Sequence, residues 1–138
     1  MTLVVDAALV VAGLVDDGPD GRWAESMLVS DDLAAPHSMP VEVANILRRA
    51  ALAKEISHDV ASLAHRDLLG LRVELFPFEP FALRVWELRS NATAYDAWYV
   101  ALAEALSAPL ATLDRRLARA PGVRCAFRLP ARGRRVPE

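Results

Sequence analysis

The chain opens on Leu3-Val4-Val5, a short apolar run with two β-branched positions that reads as a buried strand. Asp6 follows at once, and residues 7–15 then carry a helical pattern. The stretch Asp16-Asp17-Gly18-Pro19-Asp20-Gly21 is turn chemistry. Trp23, Met27 and Leu28 recur at helical spacing and predict a second helix over 22–29. Residues 33–35 form a short apolar run expected to end before Pro36. Pro40 suits a first helical turn, where its missing N–H is not needed, and Val43, Ile46, Leu47 and Ala50 form one apolar stripe beyond it. Ser57 reads as the N-cap of a helix to about residue 69, with Val60, Leu63, Ala64 and Leu68 facing inward and Gly70 stopping it. Val73-Glu74-Leu75-Phe76 alternates like a strand, and 81–89 reads as a helix. Residues 94–106 are apolar almost all round apart from Asp96 and Glu104, which predicts a largely buried helix. Pro109-Leu110-Ala111-Thr112 is a further strand, Asp114 begins a helical turn through Ala118, and 123–127 is a final strand candidate.

Strands alternating with helices predict an α/β domain with a parallel sheet. The strands are short and nearly continuous in apolar character, as expected when helices cover both faces. Ligands of such sheets gather outside the carboxyl ends of the strands, near the point where strand order reverses. The first residues after each strand are therefore where chemistry is expected. With no internal repeat and no long linker, the chain reads as one domain over 1–127. A basic tail over 128–138 follows, carrying Arg128, Arg132, Arg134 and Arg135 among Pro and Gly and expected to be flexible.

Composition narrows the class. With 138 residues, 54% of them apolar and 25% charged, the chain is an ordinary globular one rather than a disordered or fibrous one. No apolar stretch approaches the roughly 20 residues of a membrane-spanning helix, and no basic patch precedes an apolar core at the N-terminus. A single cysteine, Cys125, allows neither an internal disulfide nor a cysteine-based metal site, and a reducing cytoplasmic setting is expected. A net charge of −2 argues against coating nucleic acid by bulk electrostatics. Of the 16 basic residues only Lys54 is a lysine, and the arginines offer planar forks suited to phosphate and carboxylate.

Four acids stand where acids are costly. Asp6 directly follows the first strand, and Glu42 lies in the first turns of a helix. Asp96 lies at the start of the most buried helix, and Asp114 two residues beyond Thr112. None has a Lys or Arg at the helical spacing that would pair it locally. A buried carboxylate without a partner is costly, and the ordinary remedies are a helix N-terminus or a divalent cation. Each acid alone is accounted for as a cap or a first-turn charge. Four together point to a cup for a hard cation such as Mg²⁺ or Mn²⁺, which takes oxygen ligands and keeps several waters. Such a cup polarises a phosphodiester and activates water for in-line displacement. Crowding predicts at least one raised carboxyl pKa without metal, and metal binding that weakens as pH falls. Thr112 and Asn45 are neutral oxygen donors placed to orient water.

The blocks Val5-Asp6-Ala7, Val41-Glu42-Val43-Ala44-Asn45-Ile46-Leu47-Arg48-Arg49, Thr93-Ala94-Tyr95-Asp96-Ala97-Trp98-Tyr99-Val100-Ala101-Leu102-Ala103 and Thr112-Leu113-Asp114-Arg115-Arg116-Leu117 resemble those of PIN-domain ribonucleases, most of all the VapC toxins of bacterial toxin–antitoxin pairs. The resemblance runs from residue 3 to about 127, and the third block is its most specific part. It implies a three-layer α/β fold with a short central parallel sheet flanked by helices. It also implies a Mg²⁺- or Mn²⁺-dependent endoribonuclease that cuts single-stranded or loop RNA. A cognate VapB-like antitoxin would hold it inactive, in a hetero-oligomer with the toxin as a homodimer. By position Asp6, Glu42 and Asp96 match the invariant acids, Asp114 the more variable fourth, and Thr112 the hydroxyl residue that often precedes it by two. Two departures stand out. Ala8 occupies a position where many relatives carry Ser, Thr or Asn. Arg116 and Arg119 lie where some carry another Asp, which favours one well-held ion before RNA binds.

The other polar residues are read more plainly. His37, His58 and His65 lack ligand spacing and read as solvated, and Cys125 as an inert packed thiol. Arg48, Arg49, Arg115 and Arg116 flank the acidic blocks and are candidates for RNA phosphate contacts, as is the tail, which would make cleavage salt-sensitive. Trp23, Trp86 and Trp98 read as core, with one or two lining the groove for an antitoxin helix. Two other phosphoryl-transfer folds fail. A receiver domain needs a lysine after a late strand, and an aspartyl phosphatase needs an acid where Ala8 stands. The remaining alternative is a non-catalytic module of the same fold that sequesters a partner, its acids serving only as caps.

Overall fold

Each apolar run that the pattern marks as a strand pairs into one sheet. The computed structural model describes residues 1–30 and 32–131. In chain order these are β1 (Thr2–Val5), α1 (Ala7–Val15), α2 (Pro19–Ser30), β2 (Asp32–Pro36), α3 (Met39–Leu52), α4 (His58–Gly70) and β3 (Val73–Phe76). A 3-10 turn (Glu79–Phe81), α5 (Ala82–Glu87), α6 (Ala94–Leu106), β4 (Leu110–Ala111), α7 (Arg115–Ala118) and β5 (Phe127–Arg128) complete it. The sheet is parallel throughout, in the order β3-β2-β1-β4-β5.

That order places the site. From β1 the chain steps outward to β2 and β3, then returns through α5 and α6 to add β4 on the other side of β1. Right-handed crossovers in opposite directions put their helices on opposite faces of a sheet. Accordingly α1, α2, α3 and α4 pack among themselves, while α6 packs on β1, β2 and β4 and carries α5. The result is three layers. Strand order reverses between β1 and β4, so the carboxyl ends of these two strands open the crevice where such sheets bind ligands.

Burial explains why β1 reads as an unbroken apolar run. Leu3, Val4 and Val5 are fully buried, as are Leu110 and Ala111 of β4 and Val100 and Leu102 of α6. Local signals set the helix starts. Asp6 caps α1, accepting from Leu9 N–H at 2.9 Å; Ser57 caps α4, accepting from Val60 N–H at 3.0 Å; Thr93 caps α6, accepting from Asp96 N–H at 3.2 Å. The first turn of α2 needs Gly21, where a Cβ would stand 1.8 Å from the Asp16 carbonyl oxygen. Among the described residues no helix is long and apolar enough to cross a membrane.

Some expectations fail for identifiable reasons. The second strand includes Pro36 rather than ending before it; the ladder continues past the missing N–H because His37 donates to the Phe76 carbonyl at 2.9 Å. In α4 only Ala64 and Leu68 are buried, and Val60 and Leu63 face solvent, Leu63 at 52% exposure. The 81–89 helix divides into a 3-10 turn begun around Pro80 and the short α5. Trp86 is not core. It is 67% exposed, with the Arg89 guanidinium 4.8 Å over its ring, while Trp23 and Trp98 pack partly buried against the core. The final strand is Phe127–Arg128 alone: Ala126 C=O still accepts from Leu110 N–H of β4 at 2.9 Å, while farther back the loop is held by side chains, Gly122 C=O accepting from Arg84 and Arg124 N–H donating to Glu104.

Candidate active site

Asp6 leaves β1 and Asp114 follows β4, so the two flank the reversal of strand order from adjacent strands. Helix α3 brings Glu42 from its first turn, and α6 brings Asp96 from its own. All four acids line one cleft of about 280 Å³, together with Ala8, Asn45, Arg49 and Tyr99 among others. Four stretches far apart in sequence thus share one wall-to-wall space.

Capping and convergence coexist here. Asp6 Oδ1 caps α1, while Oδ2 accepts from Thr112 Oγ1. Thr112 is fully buried, and its hydroxyl oxygen also accepts from Asp114 N–H at 3.0 Å, which ties the two strand ends together. Asp114 Oδ1 caps α7 through Arg116 N–H at 2.9 Å and Leu117 N–H at 3.2 Å. A caps-only account would leave these groups electrically compensated. They are not. Burial raises the Asp6 carboxyl to about 6, against the pull of its bonds to Thr112 and Leu9, and the charges of Asp96 and Asp114 push the same way. Burial also raises Glu42 and Asp96, with Asp96 repelling Glu42 and Asp114 repelling Asp96. Among the described residues no Lys, Arg or His forms an ion pair with any of the four.

The donor set suits a hard divalent cation: oxygen ligands of one sign, close enough to repel, with no arginine, lysine or histidine ion-paired to them among the described residues. Asn45, exposed on α3, adds a neutral oxygen to the wall. The acids do not form a finished cage, however. Among the described residues no three His, Cys, Asp or Glu side chains are grouped tightly enough to hold an ion as they stand. The fit is one of chemistry and location, and closing on an ion needs side-chain movement.

Tyr99 is the residue that sequence reasoning missed. It is buried, and its hydroxyl donates to Glu42 Oε2 at 2.6 Å, where Ser38 Oγ also donates at 3.2 Å. Burial, and the Glu42 carboxylate that accepts its proton, hold the Tyr99 phenol far above its ordinary range, so it stays a donor. The available signal was spacing: Tyr99 lies three residues after Asp96 on one helix, hence on the same face.

The candidate RNA-contacting arginines separate. Arg49 lines the cleft, Arg116 lies beyond Asp114, Arg48 is exposed away from the cleft wall, and Arg115 donates through Nη2 to the Pro130 carbonyl. His37, His58 and His65 are all exposed. Burial pushes the Cys125 thiol up to about 11, which keeps it protonated and inert. Arg132, Arg134 and Arg135 lie outside the described residues.

The family model for the PIN domain matches residues 3–123. The chain belongs to the PIN-domain family. Within it the match is to VapC ribonucleases. Ribonuclease VapC1 of Mycobacterium tuberculosis is 44% identical over 127 residues, covering 91% of this chain and 96% of that protein. Solved structures agree in fold. VapC20 of Mycobacterium tuberculosis, described as a sarcin–ricin loop cleaving toxin, superimposes with a TM-score of 0.66 at 15% identity, covering 85% of this chain and 93% of the other. VapBC-5 from the same organism, a member of the VapBC family of toxin–antitoxin systems, gives 0.56 at 21% identity, covering 93% and 96%. The PIN-like three-layer sheet architecture is therefore the fold of this VapC-like chain.

Proposed function

We propose that this VapC-like chain is a divalent-metal-dependent endoribonuclease toxin that hydrolyses phosphodiester bonds of single-stranded or loop RNA in the cytoplasm. One observation carries the reading: Asp6, Glu42, Asp96 and Asp114 face one cleft at the reversal of strand order, and among the described residues no cationic side chain is ion-paired with any of them. The names of its relatives support RNA as substrate, and the toxin–antitoxin assignment of VapBC-5 supports a VapB-like antitoxin as partner, with the toxin as a homodimer within that assembly.

Asp6, Glu42, Asp96 and Asp114 would hold a Mg²⁺ or Mn²⁺ ion, which supplies Lewis acidity and lowers the pKa of water when bound. The chain's own groups do the rest. Thr112 fixes Asp6 Oδ2, and the α1 N-terminus fixes Oδ1, so Asp6 enters the cleft in one rotamer. Tyr99 and Ser38 hold Glu42 by Oε2. Without a cation Asp6 retains a proton at Oδ below a pH of about 6, so cation binding must displace it.

The test is cleavage of total cellular RNA, and of single-stranded oligoribonucleotides, by the purified chain with Mg²⁺, Mn²⁺ or EDTA. Cleavage is expected with either metal, abolished by EDTA, and lost in Asp6→Asn and Asp96→Asn. Undiminished cutting in EDTA would overturn metal dependence, and undiminished cutting by both variants would overturn the site.

A further inference from the structure

The acidic cleft does not end at Asp96 and Asp114. A second cleft of about 290 Å³ lies against it, sharing those two carboxylates as a common ridge and walled beyond them by Asn91, Thr93 and Arg116. Arg49 lines the first cleft only, and Arg116 the second only. Neither guanidinium has a hydrogen-bond or ion-pair partner among the described residues, whereas Arg115 is spent on the Pro130 carbonyl.

We infer that the two clefts form one substrate track in which an RNA strand crosses the Asp96–Asp114 ridge, with Arg49 and Arg116 binding phosphates on opposite sides of the scissile bond. The inference rests on the ribonuclease reading and specifies how that substrate lies. Its physical basis is charge. Four carboxylates repel a polyanion, and a cation held among them offsets that repulsion only at the phosphate it touches. Phosphates to either side still meet a negative ridge. A guanidinium fork on each flank, free of protein partners and suited to phosphate oxygens, supplies the missing attraction. Arg116 is well held for this task, since Asp114 Oδ1 accepts its backbone N–H and leaves its side chain to the second cleft. Arg48, one residue from Arg49 but outside both cleft walls, is the internal control.

The experiment uses the full chain and an oligoribonucleotide whose cleaved bond has been mapped with the parental protein. Binding is measured by fluorescence anisotropy in an Asp6→Asn background, across a salt series. Neutral methylphosphonate linkages are placed one at a time on either side of the scissile bond. Arg49→Gln and Arg116→Gln should each weaken binding about fivefold at 0.1 M salt and reduce the salt slope by about 0.7, the share of one phosphate on a single strand. Arg48→Gln should do neither. Neutral linkages on one flank should cost nothing further in Arg49→Gln, and those on the opposite flank nothing further in Arg116→Gln. All three arginines are exposed, so matching thermal melts are expected and exclude misfolding as the cause. Both arginines responding to the same flank, or both behaving as Arg48→Gln does, would overturn the two-sided track. If Asp6→Asn itself still cuts RNA, the ribonuclease site falls instead, so the two failures are distinguishable.

Discussion

Helix α6 carries an acid near each end, and the fold treats the two in opposite ways. At its C-terminal end Glu104 receives the Arg84 guanidinium by two bonds, Nε to Oε1 at 2.7 Å and Nη2 to Oε2 at 3.2 Å, and the Arg124 N–H at 2.9 Å. Burial pushes Glu104 upward, yet these bonds and the arginine charge outweigh it and hold the carboxyl below its ordinary range. At the N-terminal end no arginine pairs with Asp96 among the described residues; burial together with Asp114 raises its carboxyl, against the pull of a hydrogen bond with Thr93. One end is a clamp that pins the 119–126 loop to α5 and α6. The other is a site left uncompensated by the protein. A carboxylate supplied with its own arginine serves the fold, while carboxylates gathered without one store unfavourable energy that a ligand can relieve.

The contrast is broken most directly by neutralising each kind of acid. Asp96→Asn and Asp6→Asn should lower RNA cleavage at least about a hundredfold, equivalent to about 3 kcal/mol of barrier. Their melting temperatures without divalent metal should stay level or rise, because each removes an uncompensated charge. Glu104→Gln should do the reverse. It leaves the half-buried Arg84 with only the exposed Glu87 as a charge partner, at 3.1 Å, and should lower stability by about 1 kcal/mol, while cleavage per folded molecule stays parental. Cleavage is followed on a labelled oligonucleotide and stability by thermal melts. A Glu104→Gln protein that melts like the parent but no longer cuts would reverse the assignment of the two ends.

Acidity probes the same difference one step lower in magnitude. Asp6 has a folded pKa near 6, above its ordinary 3.8, so the folded chain binds this proton more tightly than the unfolded one. Stability from Asp6 is therefore greatest at acid pH and is lost as pH rises from about 4 through about 6, by about 2–3 kcal/mol. Glu104, with its lowered pKa, contributes in the opposite sense: its stability is present at neutral pH and lost as pH falls through its folded value. Metal-free melts of the parent and of Asp6→Asn across pH 4–8 separate the two, since the parent should lose more stability than Asp6→Asn as pH rises, with the raised Glu42 and Asp96 carboxyls accounting for the loss that remains in the variant. Adding Mg²⁺ at pH 7.5 should raise the parental melting temperature, with EDTA reversing it, and should do far less at pH 5. Equal Mg²⁺ stabilisation at both pH values would contradict proton displacement from the cleft.

Much of this was legible in the residues, for reasons that also mark where legibility ended. The doubly covered sheet shows as unbroken apolar runs such as Leu3-Val4-Val5, and capping as Asp6, Ser57 and Asp114 at helix starts. Burial at the edge of a layer does not show. Leu63 and Trp86 have the spacing of core residues, but both stay exposed on the outer faces of α4 and α5, with only the Arg89 guanidinium over the Trp86 ring. The loop before the final strand is equally opaque, since its course is held by Arg84 and Glu104, 38 and 20 positions from the Gly122 and Arg124 groups they bond. The acids were identified because carboxylates in apolar company are chemically conspicuous. Tyr99 was not, because a tyrosine in a buried helix reads as core until its hydroxyl is seen to meet Glu42 from 57 positions away.

That bond carries the smallest effect and the sharpest test of how the uncompensated end is held in shape. Tyr99 acts through Glu42, which makes it a positioning residue. Tyr99→Phe keeps the ring that fills the core and removes only the hydroxyl, leaving Ser38 alone on Glu42 Oε2 and freeing the Ala7 N–H at the start of α1. Loss of a group that orients a metal-binding carboxylate typically costs about tenfold to a hundredfold in metal affinity or activity. One bond of the two on that oxygen is removed here, so a loss near tenfold is expected. Mn²⁺ titration by electron paramagnetic resonance should show affinity weakened by about that factor, with saturating Mn²⁺ restoring most of the cleavage rate. A merely structural role would lower the melting temperature without shifting the Mn²⁺ titration. Combining Tyr99→Phe with Glu42→Gln decides between the two: if Tyr99 works through Glu42, the double variant binds Mn²⁺ no more weakly than Glu42→Gln alone, and additive losses would place its influence elsewhere in the cleft.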